Sequence, residues 1–335
     1  MNKKFWTFII FLLGMEYTAL SVESQAAEPL LKLSLNKKIK NCQVVIEWAS
    51  DDKIDLVYST SFCALGNAGG IINVSGGIAV AAPGVKEAIG KLYSHSCYPS
   101  DYSEKSKPVV EIFADGRPVL KATENGTIMS GELVTSEKPL TAKEVKAVLT
   151  GTLKAVDMEI LEERIFRADA PHFMAAHIRI KYTKEILVNT LYHQMIQANP
   201  SFINNDLTVL GYGKNGICTI KEGMPGGLKN GLFYTAENGR YAGFLSGSGD
   251  YIKFRYWKNG NYTASYKIIV EKEKKKAGDV SESFGISCWG NTEGEVSKLL
   301  EITEKINMNK APTNENAEEN FIAKTIQRSK GIKQQ

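Results

Sequence analysis

The sequence predicts an α+β protein: a mixed N-terminal domain with two or three helices packed on a sheet, then a mostly antiparallel β domain ending in one helix. Three observations lead there. Apolar residues recur at helical spacing in three stretches before position 200, at Val85–Tyr93, Val145–Ile160 and Leu187–Met195. From Leu207 onward, short runs rich in β-branched and aromatic residues alternate with Gly and Asn. Between these regions Ser201-Phe202-Ile203-Asn204-Asn205-Asp206 loses all periodicity and gathers turn formers, which marks a domain boundary. The layout is therefore residues 1–27 as a leader, 28–203 as the α+β domain, 204–308 as the β-rich domain and 309–335 as a polar tail without a core pattern.

The leader is the most legible element. Lys3 and Lys4 form a basic start, Phe5 to Leu13 an apolar run, and Ser24-Gln25-Ala26-Ala27 a small-residue cleavage region, the pattern of a secretory signal peptide. The apolar run is about half of the roughly 20 residues a spanning helix needs. Export, periplasmic or secreted, with no membrane span after cleavage near Ala26 or Ala27, is the expectation. A formal charge of +4 over 335 residues is too small and too dispersed for nucleic acid to be the main partner.

All five cysteines, at positions 42, 63, 97, 218 and 288, lie beyond the leader, where an oxidising compartment makes disulfides the default. An odd number leaves one over. Cys218 and Cys288 sit in similar strand-like settings, Gly-Ile-Cys and Gly-Ile-Ser-Cys, and are the expected pair; the pairing among Cys42, Cys63 and Cys97 stays open.

The first clear strands are Cys42–Trp48 and Ile54–Tyr58. A turn at Ser50-Asp51-Asp52 would set Ile46 opposite Leu56 and Val44 opposite Tyr58, gathering the apolar side chains on one face. The segment from Cys63 to Cys97 is Gly-rich, with Ile71, Ile72, Val74 and Ile78–Ala82 as buried strand, then an amphipathic helix carrying Val85, Ala88, Ile89, Leu92 and Tyr93. Its glycines do not spell the dinucleotide-binding fingerprint. A hairpin follows, Val109–Phe113 and Pro118–Ala122 turned by Ala114-Asp115-Gly116-Arg117, and another strand at Thr127–Thr135.

Thr141-Ala142-Lys143-Glu144 has the spacing of a capping box, so a helix is expected to run on through Val145, Val148, Leu149, Leu153, Val156 and Ile160 to about Arg167. In Phe173–Tyr182 the alternation places Met174, Ala176, Ile178 and Ile180 inward and His177, Arg179 and Lys181 outward. A helix over Lys184–Gln197 is expected to end at Asn199-Pro200. Strands are then expected near 208–212, 216–221, 231–236, 240–246, 250–257, 262–271 and 282–289, with a last helix over Glu295–Ile306.

No catalytic constellation emerges. His172 and His177 are five apart at a loop-to-strand junction, unlike the helical spacing of a zinc protease, and no metal site or cofactor is implied. Ser246-Gly247-Ser248-Gly249 lacks the first glycine of a nucleophile elbow, because Phe244 stands there. Glu159, Glu162 and Glu163 read as a charged helical face, and His95 beside Cys97 as the end of a helix.

The candidate surface is the hairpin Tyr251–Val270. With Lys258-Asn259-Gly260 as a three-residue loop, Ile252, Phe254 and Tyr256 would face Tyr266, Ala264 and Tyr262 in the core. Tyr251, Lys253, Arg255, Trp257 and Lys267 would then form an outer face able to stack on sugar rings or clamp an acidic partner. The expected role is that of an envelope or secreted accessory protein, of the kind found in virulence, binding a protein or glycan without catalysis. An exported hydrolase with a dispersed active site is the alternative.

Overall fold

The computed structural model describes residues 29–36, 43–48, 53–59, 71–73, 77–81, 109–123, 128–131, 138–153, 158–198, 208–213, 216–219, 226–228, 231–235, 241–246, 252–259 and 262–290. Among them every regular element is a strand: β1 Leu31–Asn36, β2 Gln43–Glu47, β3 Lys53–Ser59, β4 Ile71–Asn73, β5 Gly77–Ala81, β6 Val109–Ala114, β7 Arg117–Thr123, β8 Ile128–Gly131, β9 Leu140–Ala142, β10 Glu144–Leu153 and β11 Met158–Arg167. The series continues with β12 Ala170–Tyr182, β13 Ile186–Ala198, β14 Thr208–Gly213, β15 Gly216–Thr219, β16 Gly226–Leu228, β17 Gly231–Thr235, β18 Tyr241–Ser246, β19 Ile252–Asn259, β20 Tyr262–Lys275 and β21 Val280–Gly290.

They form three sheets. One five-stranded sheet has the order β5-β3-β2-β1-β9, an eleven-stranded sheet the order β15-β14-β17-β18-β21-β12-β11-β10-β6-β7-β8, and a second five-stranded sheet the order β16-β19-β20-β13-β4. All pairings are antiparallel except β13 with β4. In the eleven-stranded sheet the two faces differ in kind. On β11 the residues Met158, Ile160, Glu162, Arg164 and Phe166 are buried, while Glu159, Leu161, Glu163, Ile165 and Arg167 on the other face are exposed or half-buried. The register carries this division to the neighbouring strands. Val145, Ala147 and Leu149 of β10, and Met174, Ala176, Ile178, Ile180 and Tyr182 of β12, join the inner face. Each large aliphatic or aromatic side chain buried there contributes roughly 1.5–3 kcal/mol. Between the sheets, β13 approaches β18 and β21, β20 approaches β21, and β5 approaches β11.

The expectation of helices packed on a sheet is overturned. The segment from Thr141 to Arg167 is a hairpin of two long strands, β10 and β11, paired from Glu144↔Arg167 to Leu153↔Met158. The apparent capping box is used differently: the Lys143 and Glu144 N–H groups both donate to Asp115 Oδ1 at 2.9 Å, so a turn aspartate accepts the hydrogen bonds that a helix cap would have received. The alternation of β11 is hidden in the sequence because two of its inward positions are the charged residues Glu162 and Arg164. The helix expected over Lys184–Gln197 is likewise replaced by strand, β13, from Ile186 onward. The spacing of four through Leu187, Leu191 and Met195 suits a strand of period two as well as a helix, and register shifts beside Leu191 and His193 interrupt the plain alternation that would have told the two apart.

Other expectations hold. The β6–β7 hairpin turns on Asp115 and Gly116 with φ of 49° and 79°, the left-handed pair that a two-residue loop matched to strand twist requires. Met174, Ala176, Ile178 and Ile180 are buried, His177 is half-buried, and Arg179 and Lys181 are exposed. Strands occupy all seven segments expected after position 207. The β2–β3 pair has Val44 opposite Leu56 and Ile46 opposite Ile54, two residues from the expected register, an even slip that keeps the same faces together.

Backbone pairing also crosses the expected boundary at 203, since β12 pairs with β21 and β13 with β20. The expected leader and tail, the helices expected at Val85–Tyr93 and Glu295–Ile306, and Cys42, Cys63 and Cys97 lie outside the described residues.

Candidate functional site

On the outer face of the eleven-stranded sheet, cross-strand registry lines up Glu111 of β6, Val148 of β10, Glu163 of β11, His177 of β12 and Phe284 of β21. Opposed side chains in antiparallel strands share a face, so this row is one surface. At its centre His177 is bracketed by carboxylates. Its Nδ1 lies 2.9 Å from Glu163 Oε2 and its Nε2 2.7 Å from Glu282 Oε1. The ring stacks on Phe284 with centroids 4.0 Å apart and planes 5° from parallel. Glu163 Oε1 is 3.6 Å from Lys146 Nζ, which also sits 5.2 Å from the centre of the Phe113 ring. Side-chain exposures of 12% for His177, 25% for Glu163 and 18% for Glu282 leave the row within reach of solvent.

The electrostatics follow from the contacts. The hydrogen bond with His177 holds the Glu163 carboxyl below its ordinary range; the charges of His177 and Lys146 act in the same direction, while partial burial opposes them. The two carboxylates grip opposite ends of one imidazole and so cannot converge on an ion. Among the described residues no three His, Cys, Asp or Glu side chains form a metal-holding group.

The same face ends in a cleft of about 510 Å³ where β9 passes into β10 and β11 turns into β12, lined by Pro29, Lys143, Glu144, Arg167, Ala168 and Asp169. Its walls are tied into their surroundings. Ala168 N–H donates to Lys143 O at 2.9 Å, Trp48 Nε1–H donates to Arg167 O at 2.8 Å, and Asp115 holds the Lys143 and Glu144 N–H groups. Trp48 in turn packs edge-on against Phe166, with centroids 6.4 Å apart. Arg167 grips Asp169 with two donors, Nε to Oδ1 at 2.8 Å and Nη2 to Oδ2.

The residues singled out from the sequence are placed otherwise. Lys253, Arg255 and Trp257 lie on β19 and Lys267 on β20, their side chains outside the described set, as is Tyr251 altogether. Asn259 pairs with Tyr262, Trp257 with Ala264 and Phe254 with Lys267, which replaces the three-residue loop by a shorter connection. Lys267 therefore belongs to the row of Phe254, not to that of Lys253, Arg255 and Trp257. Cys218 on β15 and Cys288 on β21 are four strand steps apart in one sheet, about 19 Å at the usual ~4.8 Å spacing. A disulfide requires Cα atoms within about 7 Å, so the expected pair does not form.

Glu163 and His177 were visible in the sequence as a charged position and an outward histidine. Their meeting was not, because it depends on β11 being a strand. Lys146, Glu282, Phe284, Arg167 and Asp169 carried no local signal beyond alternation.

No protein-family model and no curated protein matches the chain. Solved structures with some likeness include the galactosidase domain of the α-galactosidase–sucrose kinase AgaSK, at 11% identity over 78% of this chain and 40% of that one, TM-score 0.37. A GH36 α-galactosidase, AgaA, from Geobacillus stearothermophilus in complex with stachyose is similar at 10% identity over 81% and 43%, TM-score 0.38. The heparan sulfate lyase HepC from Pedobacter heparinus, as a mutant, is similar at 10% identity over 78% and 35%, TM-score 0.32. The chain thus spans about two fifths of the galactosidase structures and a third of the lyase. At such scores the likeness assigns neither family nor activity.

Proposed function

We propose that this protein is an exported binding protein that recognises a glycan through the outer face of its eleven-stranded sheet. The observation that carries the reading is the row in which Glu163 and Glu282 bracket His177, whose ring stacks on Phe284, with Lys146 and Phe113 beside it. A sugar presents neighbouring hydroxyls, each both donor and acceptor, on a ring with an apolar C–H face. Carboxylates, an imidazole and an ammonium supply matching partners, and half-buried aromatic rings supply the apolar contact. The leader pattern of residues 1–27 supports export.

The test is a titration of the mature protein with soluble polysaccharides of neutral and acidic composition, read by affinity electrophoresis and calorimetry. Replacing Lys146 by Ala together with Glu282 by Gln should weaken binding at least tenfold, about 1.4 kcal/mol, with the thermal midpoint little changed. Indifference of every polysaccharide, combined with retention of an envelope protein by the same face, would replace the glycan by a protein partner. The hydrolase alternative is favoured by one feature, the carboxylate–imidazole–carboxylate row, which holds groups suited to proton transfer. Release of new reducing ends during the titration would select it.

A further inference from the structure

Among the charged side chains around His177, Arg179 is left over. It stands two residues from His177 on β12, on the same face and about 6.6 Å away along the strand. In register it faces Leu161 of β11 on one side and Glu282 of β21 on the other. Its side chain is exposed and makes no hydrogen bond or ion pair among the described residues. From this position we infer that the glycan recognised by the outer face carries an anionic group, a carboxylate or a sulfate ester, and that Arg179 binds it; the inference rests on the glycan reading given above.

Each carboxylate near Arg179 is already committed to another cation. Glu282, its natural cross-strand partner, places Oε1 2.7 Å from His177 Nε2. Glu163, on one diagonal in β11, lies 2.9 Å from the other ring nitrogen and 3.6 Å from Lys146 Nζ. Glu159, on the other diagonal, accepts a hydrogen bond from Lys181 Nζ at 3.0 Å. An ionised carboxylate only accepts, so with Glu163 and Glu282 both ionised the two ring nitrogens of His177 both donate and the ring is a cation. Four cations, Lys146, His177, Arg179 and Lys181, then stand among three carboxylates, Glu159, Glu163 and Glu282.

The ligand group follows from the donor. A guanidinium presents its N–H groups as a planar fork that two oxygens of one carboxylate or sulfate fill together, whereas a hydroxyl fills a single position. Sugar hydroxyls keep the partners already given to them, the carboxylates of Glu163 and Glu282 and the ammonium of Lys146. Apolar positions flank the guanidinium. Leu161 is half-buried opposite Arg179, and Val280, diagonal to it on β21, is 40% exposed. Both offer contact to the C–H face of the ring that bears the charge. The short step along β12 lets one sugar residue meet Arg179 and the His177 row together.

The experiment is calorimetric titration of the mature full-length protein at about 0.15 M salt, where charges more than about 8 Å apart are largely screened. The probes are polygalacturonate and its fully methyl-esterified form, dextran sulfate and dextran, and polyglutamate. At least one acidic polysaccharide should bind about tenfold or more tightly than its uncharged counterpart, and the pair that shows the difference tells carboxylate from sulfate. Arg179→Gln should bring that acidic polymer down to the affinity of its counterpart, and Arg179→Lys should keep part of the difference, with the thermal midpoint retained in both variants. Lys146→Ala with Glu282→Gln should instead weaken both members of the pair. Equal binding within both pairs, or an acidic preference that survives Arg179→Gln, would overturn the inference and leave the glycan reading standing. Polyglutamate bound as tightly as the acidic polysaccharides would also overturn it, by showing that charge alone is recognised. Failure of every polysaccharide to bind would overturn both readings.

Discussion

Arg164 and Glu162 are the test of whether the inner face of the large sheet is as dry as its register implies. Both side chains have no solvent exposure, and Arg164 directs Nε at 2.9 Å and Nη2 at 2.6 Å onto the same Glu162 oxygen. In register Arg164 is flanked by Ala147 and Ala176, whose small side chains leave room for the guanidinium; Glu162 lies between Leu149 and Ile178. Arg164→Met keeps much of the apolar length and removes the charge. Water cannot take the guanidinium's place in such a row, so the carboxylate left behind should cost about 3–5 kcal/mol, the usual consequence of breaking a buried pair from one side. Replacing both partners, Glu162→Leu with Arg164→Met, removes the desolvation penalty along with the attraction and should fall within about 1 kcal/mol of the parent or above it. Equilibrium urea denaturation followed by circular dichroism measures both, and the difference between the double variant and the sum of the singles is the coupling. A cost below about 1 kcal/mol for the single variant, or simple additivity in the double, would refute the picture of a dry inner face.

Ser283 is 5% exposed and its hydroxyl has no hydrogen-bond partner among the described residues, so Ser283→Ala should raise stability by about 1 kcal/mol in the same assay; a loss of that size would mean that the hydroxyl is paired. Glu163, with its carboxyl held below the ordinary range, favours the folded state above its unfolded pKa of about 4.3, a contribution lost as pH falls through the folded value. Glu163→Gln should accordingly narrow the stability gap to the parent on acidification, and a gap that widens in acid has the wrong sign for this account. Replacing Arg255 and Trp257 of β19 together by Ala should weaken glycan binding about thirtyfold if that strand adds a second contact surface, with an unchanged thermal midpoint; early unfolding instead would place the two side chains in the core.

Much of the fold was legible wherever one residue in two is apolar. The strands after position 207, the Asp115-Gly116 turn and the inward set of β12 all follow from local alternation and turn chemistry, which act within a few residues of sequence. The same locality explains the errors. Val145, Leu149 and Leu153 satisfy a helical spacing of four as well as the alternation of a strand, and the inward charges at Glu162 and Arg164 erase the alternation that would have decided between them. Sheet neighbours settled it: β6 and β12 pair on either side of the β10–β11 hairpin and complete its backbone hydrogen bonds, which an isolated segment cannot anticipate.

The sequence by itself determined the leader pattern, the strand-rich second half and the outward placement of His177, because composition and periodicity are properties of short windows. Only the tertiary structure decided that Cys218 and Cys288 stand four strands apart, that Glu163 and Glu282 meet on one imidazole, and that Pro29, Glu144 and Arg167 share a cleft. Each of those facts depends on strand order and register, and hydrogen bonding between backbones sets these without reference to the distance along the chain.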